Sequence, residues 1–149
     1  MKCLSACLLT VLLLAACSEP GPALLVEGLQ VTAPLPGRAV STAYMSISNS
    51  STAPIVIEKF TSPEFARVEI HRTSLVDGVA SMSRLESLAI PANDQVTLAS
   101  GGLHLMLLEP EKGLIPGQTV TLELHFNGGG LLIINAPLAS RQPTTGGEV

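Results

Sequence analysis

Alternating apolar and polar residues run through most of the chain. Between residues 40 and 49, Ala43, Met45 and Ile47 occupy one set of alternate positions, and Tyr44, Ser46 and Ser48 occupy the other. Successive side chains of a strand point to opposite faces of its sheet, so this alternation predicts a half-buried strand. No long helical period appears along the chain.

Segments of this kind predict about nine short strands, separated by turns rich in Gly and Pro. The predicted strands are 24–32, 40–49, 55–60, 67–73, a partner strand after residues 77–78, 96–98, 103–108, 119–126 and 131–134. Many short strands with frequent turns predict an all-β fold, specifically an antiparallel β-sandwich.

The Asp77-Gly78 pair is a turn signal for a β-hairpin. A two-residue turn at this position places His71 opposite Arg84, with Met82 diagonal to His71 on the same face of the sheet. Diagonal neighbours lie roughly 7–8 Å apart, which a long side chain can bridge. The hairpin therefore predicts that Met82 and His71 lie close together.

The composition indicates a single folded domain, because 149 residues that are 46% hydrophobic and 13% charged can bury one core. The formal net charge is −4, and no basic stretch exists to hold phosphates, so nucleic acid is excluded as an expected partner. The three cysteines, Cys3, Cys7 and Cys17, all precede the predicted strands. The folded part therefore has no disulfide.

The candidate chemistry lies in the strand from Leu103 to Leu108. His104 and Met106 are two positions apart and share a face of this strand, while the leucines beside them point the other way. Upstream, Met82 is separated from His104 by twenty-one residues, and His71 is separated from Met82 by ten. A thioether is a poor ligand for Mg²⁺, Ca²⁺ or Zn²⁺, whereas Cu(I) accepts thioether sulfur and imidazole nitrogen. The two histidines and two methionines therefore suggest a Cu(I) site.

The spacing His-x10-Met-x21-His-x-Met resembles the motif of the PCuAC family of periplasmic copper chaperones. The surrounding residues match as well, including Val68-Glu69-Ile70 before the first His and Gly101-Gly102 before the second, and the resemblance covers residues 40–126. It implies a cupredoxin-like β-sandwich that binds one copper ion as Cu(I). The ligands that it implies are His71, Met82, His104 and Met106.

The resemblance also implies the function. It implies a metallochaperone, not an enzyme, that carries copper in the periplasm. The acceptor that it implies is the dinuclear copper centre of cytochrome c oxidase, or another copper carrier. Arg72 follows the first His where relatives more often have an acidic or apolar residue, and it is expected to place a positive charge beside the site.

Each residue of the motif also has a purely structural interpretation. Methionines usually fill cores, as we expect for Met45, and Met106 shares its face with Leu108. His71 alone fits a solvent-facing strand position, and His125, which lies outside the spacing, is assigned to the surface. The four-point spacing favours the metal site over these separate explanations.

Two other functions are alternatives to the copper carrier. A blue-copper electron-transfer site needs a Cys thiolate, and the predicted domain contains no Cys. A metal-free β-sandwich lipoprotein that binds protein or envelope components is the alternative that stays open, and copper analysis of the purified domain separates it from the carrier.

The N-terminal segment predicts export. Lys2 and the apolar run from Leu4 to Leu14 fit a signal peptide that is too short to span a bilayer. The run ends in Leu14-Ala15-Ala16-Cys17, which resembles a bacterial lipobox and implies cleavage before Cys17 and acylation of that Cys. The predicted domains are a signal peptide (1–16), a lipidated Cys and tether (17–23), the copper-binding sandwich (24–138) and a flexible tail (139–149).

The residue after Cys17 bears on the location. Ser18, in place of an Asp at this position, resembles the outer-membrane sorting signal of Gram-negative bacteria. The expected location is therefore the periplasm, with a lipid anchor in the outer rather than the inner membrane.

Overall fold

The fold is described by a computed structural model, which covers residues 23–34 and 37–140. The predicted signal peptide, the predicted acylation site Cys17 and most of the tail lie outside the described residues. Every regular element within them is a β-strand. No helix in this part of the chain is long and apolar enough to cross a membrane.

Ten strands make up the fold. They are β1 (Leu24–Thr32), β2 (Val40–Asn49), β3 (Ile55–Thr61), β4 (Phe65–Val76), β5 (Val79–Leu85), β6 (Leu88–Ile90), β7 (Asp94–Leu98), β8 (Leu103–Pro110), β9 (Thr119–Phe126) and β10 (Gly130–Ala139).

The strands form one sheet that curls into a barrel-like sandwich. Their order is β5-β4-β8-β2-β1-β10-β9-β3-β6, and β7 pairs with β2 beside β8. A pairing of β3 with β4, through Phe60 and Val68, closes the sheet on itself. The all-β sandwich predicted from the alternation is confirmed.

The core consists of the apolar side chains that face the inside of this sheet. Ala43, Met45 and Ile47 of β2 are all buried, which confirms Met45 as a core residue. Leu105 and Leu107 of β8 meet them from the neighbouring strand. The alternation thereby leaves the side chains of His71, Met82, His104 and Met106 on the outer faces of β4, β5 and β8.

The structure differs from the predicted strands in three respects. β6 is a tenth strand of three residues, which is too short for an alternating pattern to reveal. β10 extends to Ala139 rather than Ile134, although Pro137 disfavours a strand. Its last two residues pair with Val31 and Thr32 of β1 in parallel, so the sheet is not wholly antiparallel.

The β4–β5 hairpin turns where the sequence predicts. Asp77 and Gly78 both have positive φ, 52° and 77°, as a two-residue type I′ turn requires. The resulting register pairs His71 with Arg84 and Thr73 with Met82. Met82 is therefore diagonal to His71 on one face, as predicted.

Candidate metal centre

The candidate metal centre lies on the outer face of the sheet where β4 meets β8. Register places His71 of β4 directly opposite His104 of β8, and their ring centroids are 6.1 Å apart. The next pair along the ladder, Ile70 and Leu105, points into the core and is buried. Core packing of the intervening apolar residues thus fixes both histidines on the same outer face.

His104 is held in one orientation by the loop before β8. Its side chain is only 6% exposed, and its Nδ1 donates a hydrogen bond of 3.1 Å to the carbonyl oxygen of Gly102. A carbonyl can only accept, so the proton resides on Nδ1 and the lone pair on Nε2. The backbone N–H of Thr73 donates to the same carbonyl at 3.0 Å, which ties β4 to this loop.

His71 presents the opposite ring nitrogen. Its Nε2 lies 2.9 Å from Glu69 Oε2, and a carboxylate acceptor places the proton on Nε2. The other nitrogen, Nδ1, is buried and has no hydrogen-bond partner. A buried polar atom without a partner is costly, and this one carries a lone pair available to a metal.

Glu69 connects His71 to Arg84. Its Oε1 accepts a hydrogen bond of 3.3 Å from Arg84, while its Oε2 accepts from His71. The hydrogen bond from His71 lowers the pKa of Glu69 below its ordinary value of 4.5; partial burial opposes this effect, and the positive charge of Arg84 adds to it. Glu69 is therefore ionised at neutral pH and is the acceptor for His71.

Met106 lies beside this pair of histidines. It is opposite Glu69 on β4 and opposite Thr42 on β2, which makes it diagonal to His71. Its side chain is half-buried, unlike that of Leu105 and Leu107, which point to the core. Sequence position alone left Met106 open between core and site, and the structure places it on the face of the histidines.

Met82 approaches His71 from the other side. It belongs to β5, an edge strand, and its side chain is 53% exposed. An apolar side chain with so much exposure contributes little to packing. His71 is therefore the centre of the cluster, with His104 directly opposite and the two methionines on opposite diagonals.

Arg72 does not share this face. Alternation along β4 turns its side chain to the face opposite His71, so the expectation of its charge beside the site is wrong. The arginine on the site's face is Arg84, which pairs directly with His71.

His125 lies away from the cluster, as its position outside the spacing predicted. It is on β9, and its Nε2 lies 2.8 Å from Thr61 Oγ1. Across the described residues, no group of three His, Cys, Asp or Glu side chains is arranged to hold a metal ion.

The roles of Glu69 and Gly102 were missed by sequence reasoning. Glu69 had a usable signal, because a residue two positions before His71 in a strand must share its face. The carbonyl of Gly102 had none, because a backbone acceptor has no residue type to recognise. The Glu69 carboxylate and the Gly102 carbonyl decide which ring nitrogen of each imidazole keeps a free lone pair.

The fold and this cluster define a class of protein. It is a cupredoxin-like β-sandwich with paired histidines and two methionines on its outer face. Residues 24–138 match the family described as "Putative lipoprotein LpqE-like". The chain belongs to this family.

Two relatives support the assignment. The chain is similar to "Putative lipoprotein Lxx21020" of Leifsonia xyli subsp. xyli, with 27% identity over 125 residues, which is 81% of this chain and 75% of the relative. It is also similar to "Uncharacterized protein RP573" of Rickettsia prowazekii, with 25% identity over 104 residues. That match covers 69% of this chain and 58% of the Rickettsia protein.

Solved structures of PCuAC domains share the fold. The copper-bound PCuAC domain from PmoF2 is 25% identical and matches with a TM-score of 0.66 over 80% of this chain and 95% of that domain. The solution structure of Cu(I)-bound DR1885 from Deinococcus radiodurans is 28% identical, with a TM-score of 0.64 over 87% of this chain and 85% of that protein. These structural relatives are copper-binding domains.

Proposed function

We propose that this protein is a Cu(I) carrier of the PCuAC type, with His71, Met82, His104 and Met106 as the ligands of one copper ion. The observation that carries the proposal is the buried Nδ1 of His71, which has no protein partner and belongs to the ring paired with His104. A lone pair kept in this state is accounted for if it binds a metal.

The ligand set favours Cu(I) over other ions. Thioether sulfur is a soft ligand that selects Cu(I), while Cu(II) prefers tetragonal nitrogen and oxygen ligation. Both imidazoles are held in defined tautomers by hydrogen bonds, to Glu69 and to the Gly102 carbonyl. Such outer partners of metal-bound histidines orient the ring and, when they are carboxylates, raise its basicity. The described side chains therefore fit a Cu(I) ion.

The exposure of Met82 supports a carrier rather than a permanent metal site. Met82 is half-exposed on an edge strand, whereas His104 is buried. A ligand at the surface can be displaced by a ligand of an incoming acceptor while the buried ligands still hold the ion. Copper would therefore pass to the acceptor by stepwise exchange of ligands. This transfer makes or breaks no bond of a substrate, so the protein is not an enzyme in this proposal.

The acceptor and the location are inferred from the family resemblance. PCuAC proteins deliver copper towards the dinuclear centre of cytochrome c oxidase, and we assign the same acceptor class here. The matched family consists of putative lipoproteins, which agrees with acylation of Cys17. The location that we propose is the periplasm, with the protein held by its lipid anchor on the outer rather than the inner membrane.

The test is an anaerobic titration of the purified protein with Cu(I) against a competing chelator. We expect one equivalent of Cu(I) to bind, and Cu(II) to bind more weakly at neutral pH. Tighter binding of Cu(II) than of Cu(I) would overturn the ligand assignment. No binding of either ion would leave the metal-free alternative.

A further inference from the structure

Exposed apolar side chains are concentrated at one end of the barrel. β2 and β4 both run antiparallel to β8, so they end on the same side, and β1 and β10 begin there. We call this side the apolar end. β5, which is antiparallel to β4, also begins there. Of eight large apolar side chains exposed among the described residues, five lie within two positions of these strand ends: Leu25, Leu75, Val76, Val79 and Leu131.

Charge is distributed in the opposite way. The described connections at the apolar end, residues 50–54, 77–78, 91–93 and 127–129, contain one charged residue, Asp77, and a second, Asp94, begins β7 beside them. The described connections at the other end contain Arg38, Glu64, Glu111 and Lys112. The two ends of the molecule therefore differ in polarity, and only one is suited to leave water.

The β4–β5 hairpin is the most exposed part of the apolar end. β8 pairs with β4 only as far as Arg72, so the last residues of β4 pair with β5 alone. Leu75 and Val79 are 76% and 68% exposed. Leu75 lies on the face of His71, and Val76 and Val79 pair with each other on the opposite face, so the tip of the hairpin is apolar on both faces. Exposed apolar side chains grouped in this way are a mark of an interaction surface.

The start of the domain identifies what this surface contacts. β1 begins at the apolar end with Leu24, seven positions after Cys17. At roughly 3.3–3.6 Å per residue, even a fully extended link holds this end within about 25 Å of an acyl chain on Cys17. We propose that the apolar end is a membrane-docking surface, in which Leu75, Val76 and Val79 contact the lipid interface. The proposal rests on the acylation of Cys17.

The chemistry of the surface sets the kind of contact. Asp77 at the turn stays among hydrated headgroups, so the side chains beside it enter only the interfacial layer. No Lys or Arg lies in the described connections of this end, so docking needs no anionic lipid. Met82 is three positions from Val79 along β5, or about 10 Å. The exposed ligand of the copper site then lies beside the membrane surface.

The test uses the absence of Trp from this chain. The lipidated protein carrying Val76→Trp is reconstituted in phosphatidylcholine vesicles with brominated acyl chains. We expect the fluorescence emission to shift to shorter wavelength and to be quenched by the bromine atoms, with no dependence on salt. The matched control is Ile115→Trp, an exposed apolar position in a connection at the charged end, whose emission should be unchanged.

Three outcomes overturn the proposal and differ in what else they affect. In the first, the V76W protein sediments with the vesicles, but its Trp fluorescence is quenched no more than that of I115W. The anchor is then present and the docking is absent. A protein that does not sediment lacks the anchor as well. If Val76→Ser with Val79→Ser leaves quenching of a Leu75→Trp reporter unaltered but slows Cu(I) transfer to a protein acceptor in solution, the hairpin contacts protein. Cu(I) titration of each sample tests the copper proposal separately.

Discussion

The imidazole of His71 owes its position to two neighbours on one face of β4 and β8. Glu69 holds the proton on Nε2, and His104 occupies the position directly across the ladder. The carboxylate of Glu69 accepts a hydrogen bond from this Nε2–H and also compensates positive charge at the site. The orientation of a candidate ligand is thus set by a residue that is not itself in the motif.

Replacing Glu69 with Leu should weaken Cu(I) binding by about ten- to a hundredfold, since loss of an outer partner of a metal-bound His has this effect. Chelator competition measures the change. Glu69→Gln keeps an acceptor oxygen without the charge, so its Cu(I) affinity should lie between that of the unaltered protein and that of Glu69→Leu. The chain offers a matched control in Glu123→Leu, because Glu123 precedes His125 by the same two positions on β9. An equal loss in this control would indicate a general effect on the fold.

The two methionines can be tested without disturbing the fold. Replacing Met82 and Met106 with Leu conserves apolar volume, and such exchanges usually cost less than about 1.5 kcal/mol even in a core. Cu(I) affinity should fall sharply, because Leu has no lone pair and only the imidazoles remain. His125→Ala should leave copper binding intact. Unchanged affinity in the double Leu variant would mean that the methionines serve packing alone.

At the scale of elements, the loop between β7 and β8 sets the orientation of His104. Gly101 has a φ of 80°, a conformation that a residue with a Cβ adopts only with strain. The carbonyl of the next residue, Gly102, accepts hydrogen bonds from His104 Nδ1 and from the backbone N–H of Thr73 in β4. One loop therefore positions the buried candidate ligand His104 and aligns two strands.

Gly101→Ala should lower the free energy of unfolding by about 1 kcal/mol, the cost of a left-handed backbone for an ordinary residue. Denaturant unfolding of the apo protein measures it. Gly102→Ala is the control, because Gly102 has no positive φ and an added Cβ would meet only the Ala99 carbonyl oxygen at an ordinary 3.7 Å. Equal stability of the two variants would contradict the strain argument.

At the scale of the whole molecule, the closed sheet separates a charged end from an apolar end, and the chain enters at the apolar end. Acyl chains contribute about 0.8 kcal/mol per buried CH₂ group, so more than one chain on Cys17 anchors a protein stably. A domain attached in this way has one end that always lies near lipid.

Cys17→Ser should move the protein from the membrane fraction to the soluble periplasmic fraction, because the serine hydroxyl is not a substrate for thioether acylation. Cell fractionation and labelling with fatty acid measure this. Cys7→Ser, within the predicted signal peptide, is the control and should leave the anchor intact. Label on the Cys17→Ser protein would disprove the assignment of the lipid site.

The sequence by itself determined the strand class, the β4–β5 turn and the face of each candidate ligand. These depend on local rules: the two-residue period of a strand and the positive φ of a Gly-containing turn. The same rules placed Met82 diagonal to His71, whereas His125 was excluded because it lies outside the spacing of the motif.

The tertiary structure decided what depends on pairing between distant segments. That His71 lies opposite His104, that β10 joins β1 in parallel, and that the sheet closes through β3 and β4 are matters of long-range register. The free nitrogen on each imidazole depends on acceptors that only this register brings into place. Ligand identity is local in the chain, but ligand geometry is a property of the closed sheet, because a strand's own pattern carries no information about which strand lies beside it.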